Sequence, residues 1–195
     1  MAELSSSCDV VLSCLPTDEA VLNIYKGADG AFANAHRGSL IIDLSTVNPE
    51  TSRELSRLGS ERGLHVLDVT MSGSTPVAEQ GALTLFGGGN EGCFAAAESI
   101  FRVIARKYFY LGPSGSGATM KLVVNSLLGI GMQAIAEALV LGEKASSCGA
   151  IASRATATPL EADFHFEKPR KYMLRLRRVT LAKYCCSHRL PKSPR

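Results

Sequence analysis

Lys121 and Asn125 raise the first chemical question. They lie four residues apart in the stretch from Gly112 to Lys144. On a helix that spacing puts both side chains on one face, one turn apart. An ammonium beside a neutral amide can grip and protonate a small polar substrate. The plainer reading is a lysine that snorkels from the helix start and a capped or core asparagine. Either group is costly to bury without a partner. Other candidate groups follow predicted strands: Leu15-Pro16-Thr17, Ser45-Thr46, Ser72-Gly73-Ser74 and the glycine-rich turn Gly112–Gly117. Each alone reads as a helix cap or a turn. Together they are expected to ring the carboxyl edge of a parallel sheet with hydroxyls and free N–H groups, where open α/β sheets bind ligands. Such groups suit a nucleotide ribose and a small carboxylate.

The elements that must position these residues are legible in order. Residues 9–16 form a valine-rich apolar run stopped by Pro16, a buried strand. Thr17-Asp18-Glu19 caps a helix reaching about Tyr25. A second strand lies at 39–45. A helix follows it, with Pro49 early and Glu50 and Glu54 near the positive end of its dipole. That helix ends near Gly63, and His65–Thr70 is the third strand. This alternation predicts βαβ units and a parallel sheet. Met71-Ser-Gly-Ser-Thr-Pro reads as a polar loop, 82–89 as a strand, Glu91–Arg106 as one helix, and 107–112 as a last strand. Leu122–Gly142 is long enough to span a membrane, but Asn125, Gln133 and Glu137 interrupt it. A buried core helix is expected instead, with Gly129 and Gly131 admitting a neighbouring backbone.

The net charge of +3 over 195 residues conceals two halves. Residues 1–150 carry 10 Lys+Arg against 15 Asp+Glu; residues 151–195 carry 11 against 3. The basic end could be a nucleic-acid arm or a tail outside the folded domain. Its lack of periodicity predicts a poorly ordered segment. The six cysteines show no Cys-x-x-Cys and no zinc spacing, so no metal site is expected. Free thiols in a reducing compartment follow. No secretory signal is visible.

Three motifs resemble those of the β-hydroxyacid dehydrogenases, in order and spacing, over residues 8–146. They are Asp43-Leu-Ser-Thr-Val-Asn-Pro-Glu-Thr-Ser, Asp68-Val-Thr-Met-Ser-Gly-Ser followed by Ala78-Glu-Gln-Gly-Ala-Leu-Thr, and Gly117-x-x-x-Lys121-x-x-x-Asn125. The resemblance implies a Rossmann domain, a long inter-domain helix and an all-α domain. It implies hydride transfer between NAD or NADP and a small β-hydroxyacid or semialdehyde. Lys121 would be the catalytic acid/base, and a free lysine near pKa ~10.4 would need lowering for the oxidative direction. Asn125 would hold the substrate oxygen, and Ser72, Gly73 and Ser74 the carboxylate. Leu15, Pro16 and Thr46 would line the nicotinamide.

The departures from that family are equally specific. The Gly-x-Gly-x-x-Gly turn after the family's first strand has no counterpart, and Gly87-Gly-Gly89 comes too late in the fold to replace it. The family's first two strands would precede Met1. Ser74 stands where the family usually has glycine, and Met71 where valine is common. Residues after Lys144 lack the helical pattern of the all-α domain, as if through a frameshift or a mis-joined exon.

The resulting expectation is a partial Rossmann domain at 1–112, a long inter-domain helix at 113–146 and a divergent basic tail at 147–195. The expected partners are a small carboxylate and further copies of the chain through the long helix, with neither membrane nor nucleic acid. The expected location is the cytoplasm, or the mitochondrion if a leader lies upstream. As a fragment the chain is expected to be weak or inactive. The alternative is a non-catalytic oligomerisation or interaction module that retains the scaffold.

Overall fold

The computed structural model describes residues 1–144, apart from the side chains of residues 139, 142 and 143. The expectations for the basic tail lie outside the described residues. The described residues divide between a compact unit, Met1–Asn125, and a second unit that begins at Ser126.

The first unit is an α/β fold around one five-stranded sheet, in the order β1-β2-β3-β4-β5. The strands are β1 Val10–Ser13, β2 Leu40–Asp43, β3 His65–Ser72, β4 Leu83–Gly88 and β5 Ala105–Tyr110. The helices are α1 Ala2–Ser7, α2 Asp18–Tyr25, α3 Ala31–Asn34, α4 Pro49–Glu61, α5 Thr75–Glu79, α6 Glu91–Ala96, α7 Glu98–Ile104 and α8 Ser116–Lys144. The expected cap is present: the Thr17 side chain accepts the Ala20 N–H. Pro49 takes the first turn of α4, where its missing N–H costs nothing.

Alternation along the strands divides the core in two. Val11, Ile41 and Val66 pack with Val21, Tyr25, Phe32 and Leu55 of α2, α3 and α4. Ile42, Leu67, Val69 and Leu85 pack with Phe94 and Phe101 of α6 and α7. Phe101, Leu85 and Leu67 are fully buried, each worth ~2 kcal/mol by area. The sheet is therefore covered on both faces, as its mostly apolar strands require.

Several expectations need correction. The sheet is not parallel throughout: β4 runs antiparallel to β3, and β5 runs parallel to β4. The link from Ser72 to Leu83 is too short for a parallel crossover, which needs about a dozen residues. The polar loop after β3 contains α5. The single helix over 91–106 breaks at Ala97, which caps both α6 and α7. The long helix is present, but Leu122, Val123, Leu127, Leu128, Ile130 and Leu141 are exposed, so it is no core helix in the described residues. Among the described residues nothing lies within 4 Å of a Cβ added at Gly129 or Gly131, so no described backbone packs closely on either. Apolar composition shows that a helix suits burial; it does not supply the surface that covers it. By length and composition alone, Ser116–Ala138 of α8 could cross a membrane.

Candidate functional site

Polar residues concentrate on one face of the sheet, towards the carboxyl ends of β1, β2 and β3. Ser13, Asp43 and Asp68 are register partners on those strands, so they form a row on that face. Asp68, Thr70 and Ser72 alternate along β3 and share the same face.

Asp43 is buried, and its Oδ1 accepts hydrogen bonds from Ser13 Oγ (2.7 Å), Ser45 Oγ (2.6 Å) and the Ser45 N–H (3.2 Å). The Tyr25 hydroxyl donates to Ser13 Oγ at 2.5 Å, and Ser45 Oγ accepts the Leu15 N–H at 2.8 Å. Burial pushes the Tyr25 phenol up, opposed by its bond to Ser13 and aided by the Asp43 charge. The network ties the loop after β1 to the loop after β2. It thereby sets Leu15, Pro16 and Thr46 beside one sheet edge, Leu15 half-buried and the other two exposed.

Asp68 organises the second half of the site. Its Oδ1 accepts the Gly115 N–H (2.9 Å) and its Oδ2 the Ala118 N–H (3.0 Å) at the start of α8. Burial pushes this carboxyl above the usual range, and the backbone N–H groups around it pull the other way. The Thr70 hydroxyl donates to the Gly117 carbonyl at 2.9 Å. A Cβ at Gly117 would collide with the backbone oxygens of Asp68 and Phe86, so only glycine lets the helix sit this close.

The helix start thus lies over Asp68 and Thr70. Lys121 is half-buried, and it has no hydrogen bond or ion pair among the described residues. Burial holds its amine below the ordinary lysine value. Asn125, one turn further on, is exposed. Gly73 has φ +149°, and a side chain there would meet Leu83 and Val77. It turns the chain into α5, whose cap residue Ser74 is exposed and makes no side-chain cap bond.

Three of the four expected clusters follow β1, β2 and β3. The Gly112–Gly117 turn does not join them. It follows β5, which runs opposite to β3, and it packs against the middle of β3 through Asp68. The start of the helix that the turn launches is held at Asp68 and Thr70. Asp43 and Asp68 were contained in the sequence motifs without a role. The available signal was polar residues at alternate positions in strands that are otherwise apolar.

Pro16 and Thr46 are exposed beside the hydrogen-bonded loop pair after β1 and β2, open to a ligand. The string Gly87–Gly92 has the spacing of a phosphate-binding turn but does not fit that role. A Cβ at Gly87 would strike Phe94, one at Gly88 would meet Asp68 and Pro113, and one at Gly89 would meet Leu67. These glycines serve packing, and Asn90 caps the following helix at the Cys93 N–H. Cys8, Cys14 and Cys93 are free thiols.

Comparison with known proteins places this geometry. The family described as the NAD binding domain of 6-phosphogluconate dehydrogenase matches residues 1–112. The chain is 33% identical over 147 residues to 2-(hydroxymethyl)glutarate dehydrogenase of Eubacterium barkeri, covering 75% of this chain and 48% of that protein. It is 39% identical over 136 residues to 3-hydroxyisobutyrate dehydrogenase of Pseudomonas aeruginosa, covering 70% and 46%. Among solved structures, Mycobacterium tuberculosis 3-hydroxyisobutyrate dehydrogenase with L-serine matches at TM-score 0.73 and 28% identity, over 97% of this chain and 72% of that one. The chain spans about half the length of the curated relatives it matches.

Proposed function

The chain belongs to the β-hydroxyacid dehydrogenase family, with an NAD-binding domain of the 6-phosphogluconate dehydrogenase type, and on that premise we propose that it serves NAD(P)-dependent oxidation of a small β-hydroxyacid or the reverse reduction. The observation that carries this reading is Lys121, half-buried and without a partner among the described residues, on a helix clamped to the face of β3 that ends in Ser72. An amine kept below its ordinary pKa by burial gives up its proton more readily than an exposed lysine, as an acid/base group requires.

In this reading Ser72, the Gly73 backbone and Ser74 hold the substrate carboxylate, and Asn125 holds the reacting oxygen. Lys121 takes the hydroxyl proton in oxidation and returns it to the forming alkoxide in reduction. Leu15, Pro16 and Thr46 line the nicotinamide, which exchanges the hydride when NAD(P) is bound. Exposed Asn125 is the weakest member of this set and would gain contacts only with ligand present. The relatives' names point to 3-hydroxyisobutyrate and L-serine as first substrates to try.

The test is formation of reduced nicotinamide by the full chain, wild type against Lys121→Ala. The expected loss of turnover is at least ~100-fold, with cofactor binding retained. A near-normal rate in the variant would remove Lys121 from the mechanism.

A second reading is favoured by the exposed apolar residues Leu122, Val123, Leu127, Leu128 and Ile130 of α8: association of copies through the helix, with or without turnover. Size-exclusion chromatography with light scattering decides it. A clean monomer at high concentration excludes association.

A further inference from the structure

We propose that Asp68 is the positioning residue for Lys121, capping helix α8 from the sheet and fixing the turn from which Lys121 projects. The inference rests on the acid/base reading of Lys121 and adds the residue that makes it possible.

A helix start leaves backbone N–H groups without intrahelical acceptors. In a capping box, two side chains of the helix's own sequence satisfy them: one at the cap bonds the third residue's N–H, and the third residue's side chain bonds back. Helix α8 has neither. Its cap position is Gly115 and its third residue is Ala118, and neither side chain carries an oxygen. Asp68 makes both bonds with one carboxylate, reaching Gly115 N and Ala118 N from 47 and 50 residues away. Two bonds from one rigid fork fix the helix against both sliding and rotation. Thr70 adds a third anchor on the Gly117 carbonyl. In α-helical geometry that carbonyl also accepts the Lys121 N–H.

The bland alternative is an ordinary structural cap that any polar group could replace. The placement argues otherwise. Gly117 and Ala118 lie four and three residues before Lys121, so the clamped face is the face from which Lys121 projects. Gly117 and Ala118 are buried, and Lys121 is the first side chain beyond them on that face. Its partial burial, and the depressed amine that follows, depend on the turn staying down on β3.

The test is Asp68→Asn in the full chain. The shape is kept, but one oxygen becomes an NH2 donor facing an N–H donor. Two readouts need no turnover: hydrogen exchange at Gly115 and Ala118, and trace acetylation of each lysine across pH. The expected result is about tenfold faster exchange at both amides. The Lys121 acetylation profile should also move to higher pH. An unchanged Lys121 profile overturns the proposal and leaves Asp68 a plain cap. If Asp68→Asn does not fold, Thr70→Val removes one anchor from the same turn. It should move the Lys121 profile in the same direction by less, and no movement overturns the proposal equally. Retained turnover in Lys121→Ala would strike the acid/base reading alone, because the acetylation result stands without catalysis.

Discussion

Two aspartates, Asp43 and Asp68, sit in register on adjacent strands of one sheet face, both buried, and they are satisfied in opposite ways. Asp43 is met by side-chain hydroxyls of its own strand neighbourhood, Ser13 and Ser45. Asp68 is met by backbone N–H groups of a helix that begins 48 residues later. A buried carboxylate must find donors, and the kind of donor decides what it organises. Hydroxyls on the strand-end loops make Asp43 an organiser of the side assigned to the cofactor. Backbone donors at a helix start make Asp68 an organiser of the side assigned to proton transfer. The two halves of the proposed reaction are thus built by residues one strand apart.

The sharpest way to break this division is Asp43→Ala. It leaves the Ser13 and Ser45 hydroxyls without their buried acceptor, and a loss of ~2 kcal/mol in denaturant unfolding is expected. NAD(H) affinity should weaken roughly tenfold as the Leu15 and Thr46 loops separate, about 1.4 kcal/mol. The Lys121 acetylation profile should stay in place. Movement of that profile would show that the two centres act as one, and coupling across neighbouring strands would then appear in the double variant with Asp68→Asn.

A smaller effect sharpens the Asp68 side. Lys121 has its folded pKa below the ordinary 10.5. Between the two values the unfolded chain binds more protons, so stability rises with pH across that window. Lys121→Met should abolish that rise. In catalysis the free amine accepts the hydroxyl proton, so oxidation should increase as pH rises through the lowered pKa and reduction should decrease. A pH–rate profile flat up to the ordinary lysine value would contradict the assignment.

How much of this was legible in the residues follows the range of the forces involved. Local signals were readable: Thr17 capping α2, Pro49 opening α4, and the apolar runs of β1, β2 and β3. The direction of β4 was also available, because the link after Ser72 is too short for a crossover. Lys121 and the Ser72–Ser74 loop were singled out through their motif; the loop follows β3, and the helix that carries Lys121 starts against β3. The Asp68 clamp was not legible. Its partners are glycine and alanine backbone atoms about fifty residues away, and such contacts leave no side-chain signature. The exposure of Leu122–Ile130 was hidden for a related reason: apolar content indicates what a helix prefers to touch, not what is there.

Asp18 supplies the mildest contrast and the smallest effect. It bridges the starts of α2 and α4, accepting the Thr51 hydroxyl at 2.6 Å and the Asn48 N–H at 2.9 Å. The Thr51 hydroxyl first, then the Asn48 N–H, hold its carboxyl below the usual range. A depressed carboxylate contributes stability that is present above the unfolded pKa and lost as pH falls through the folded one. Thr51→Val removes the larger cause, so Asp18 should titrate closer to the ordinary 3.8, and the stability it loses in acid should be smaller and fully lost at higher pH. Because water can replace the lost bond at this partly exposed site, the cost at neutral pH should be only ~0.5 kcal/mol. Carboxyl titration by NMR and acid unfolding of the two proteins measure both quantities. A cost as large as that of Asp43→Ala would mean that burial is not what separates the strong aspartates from the weak one.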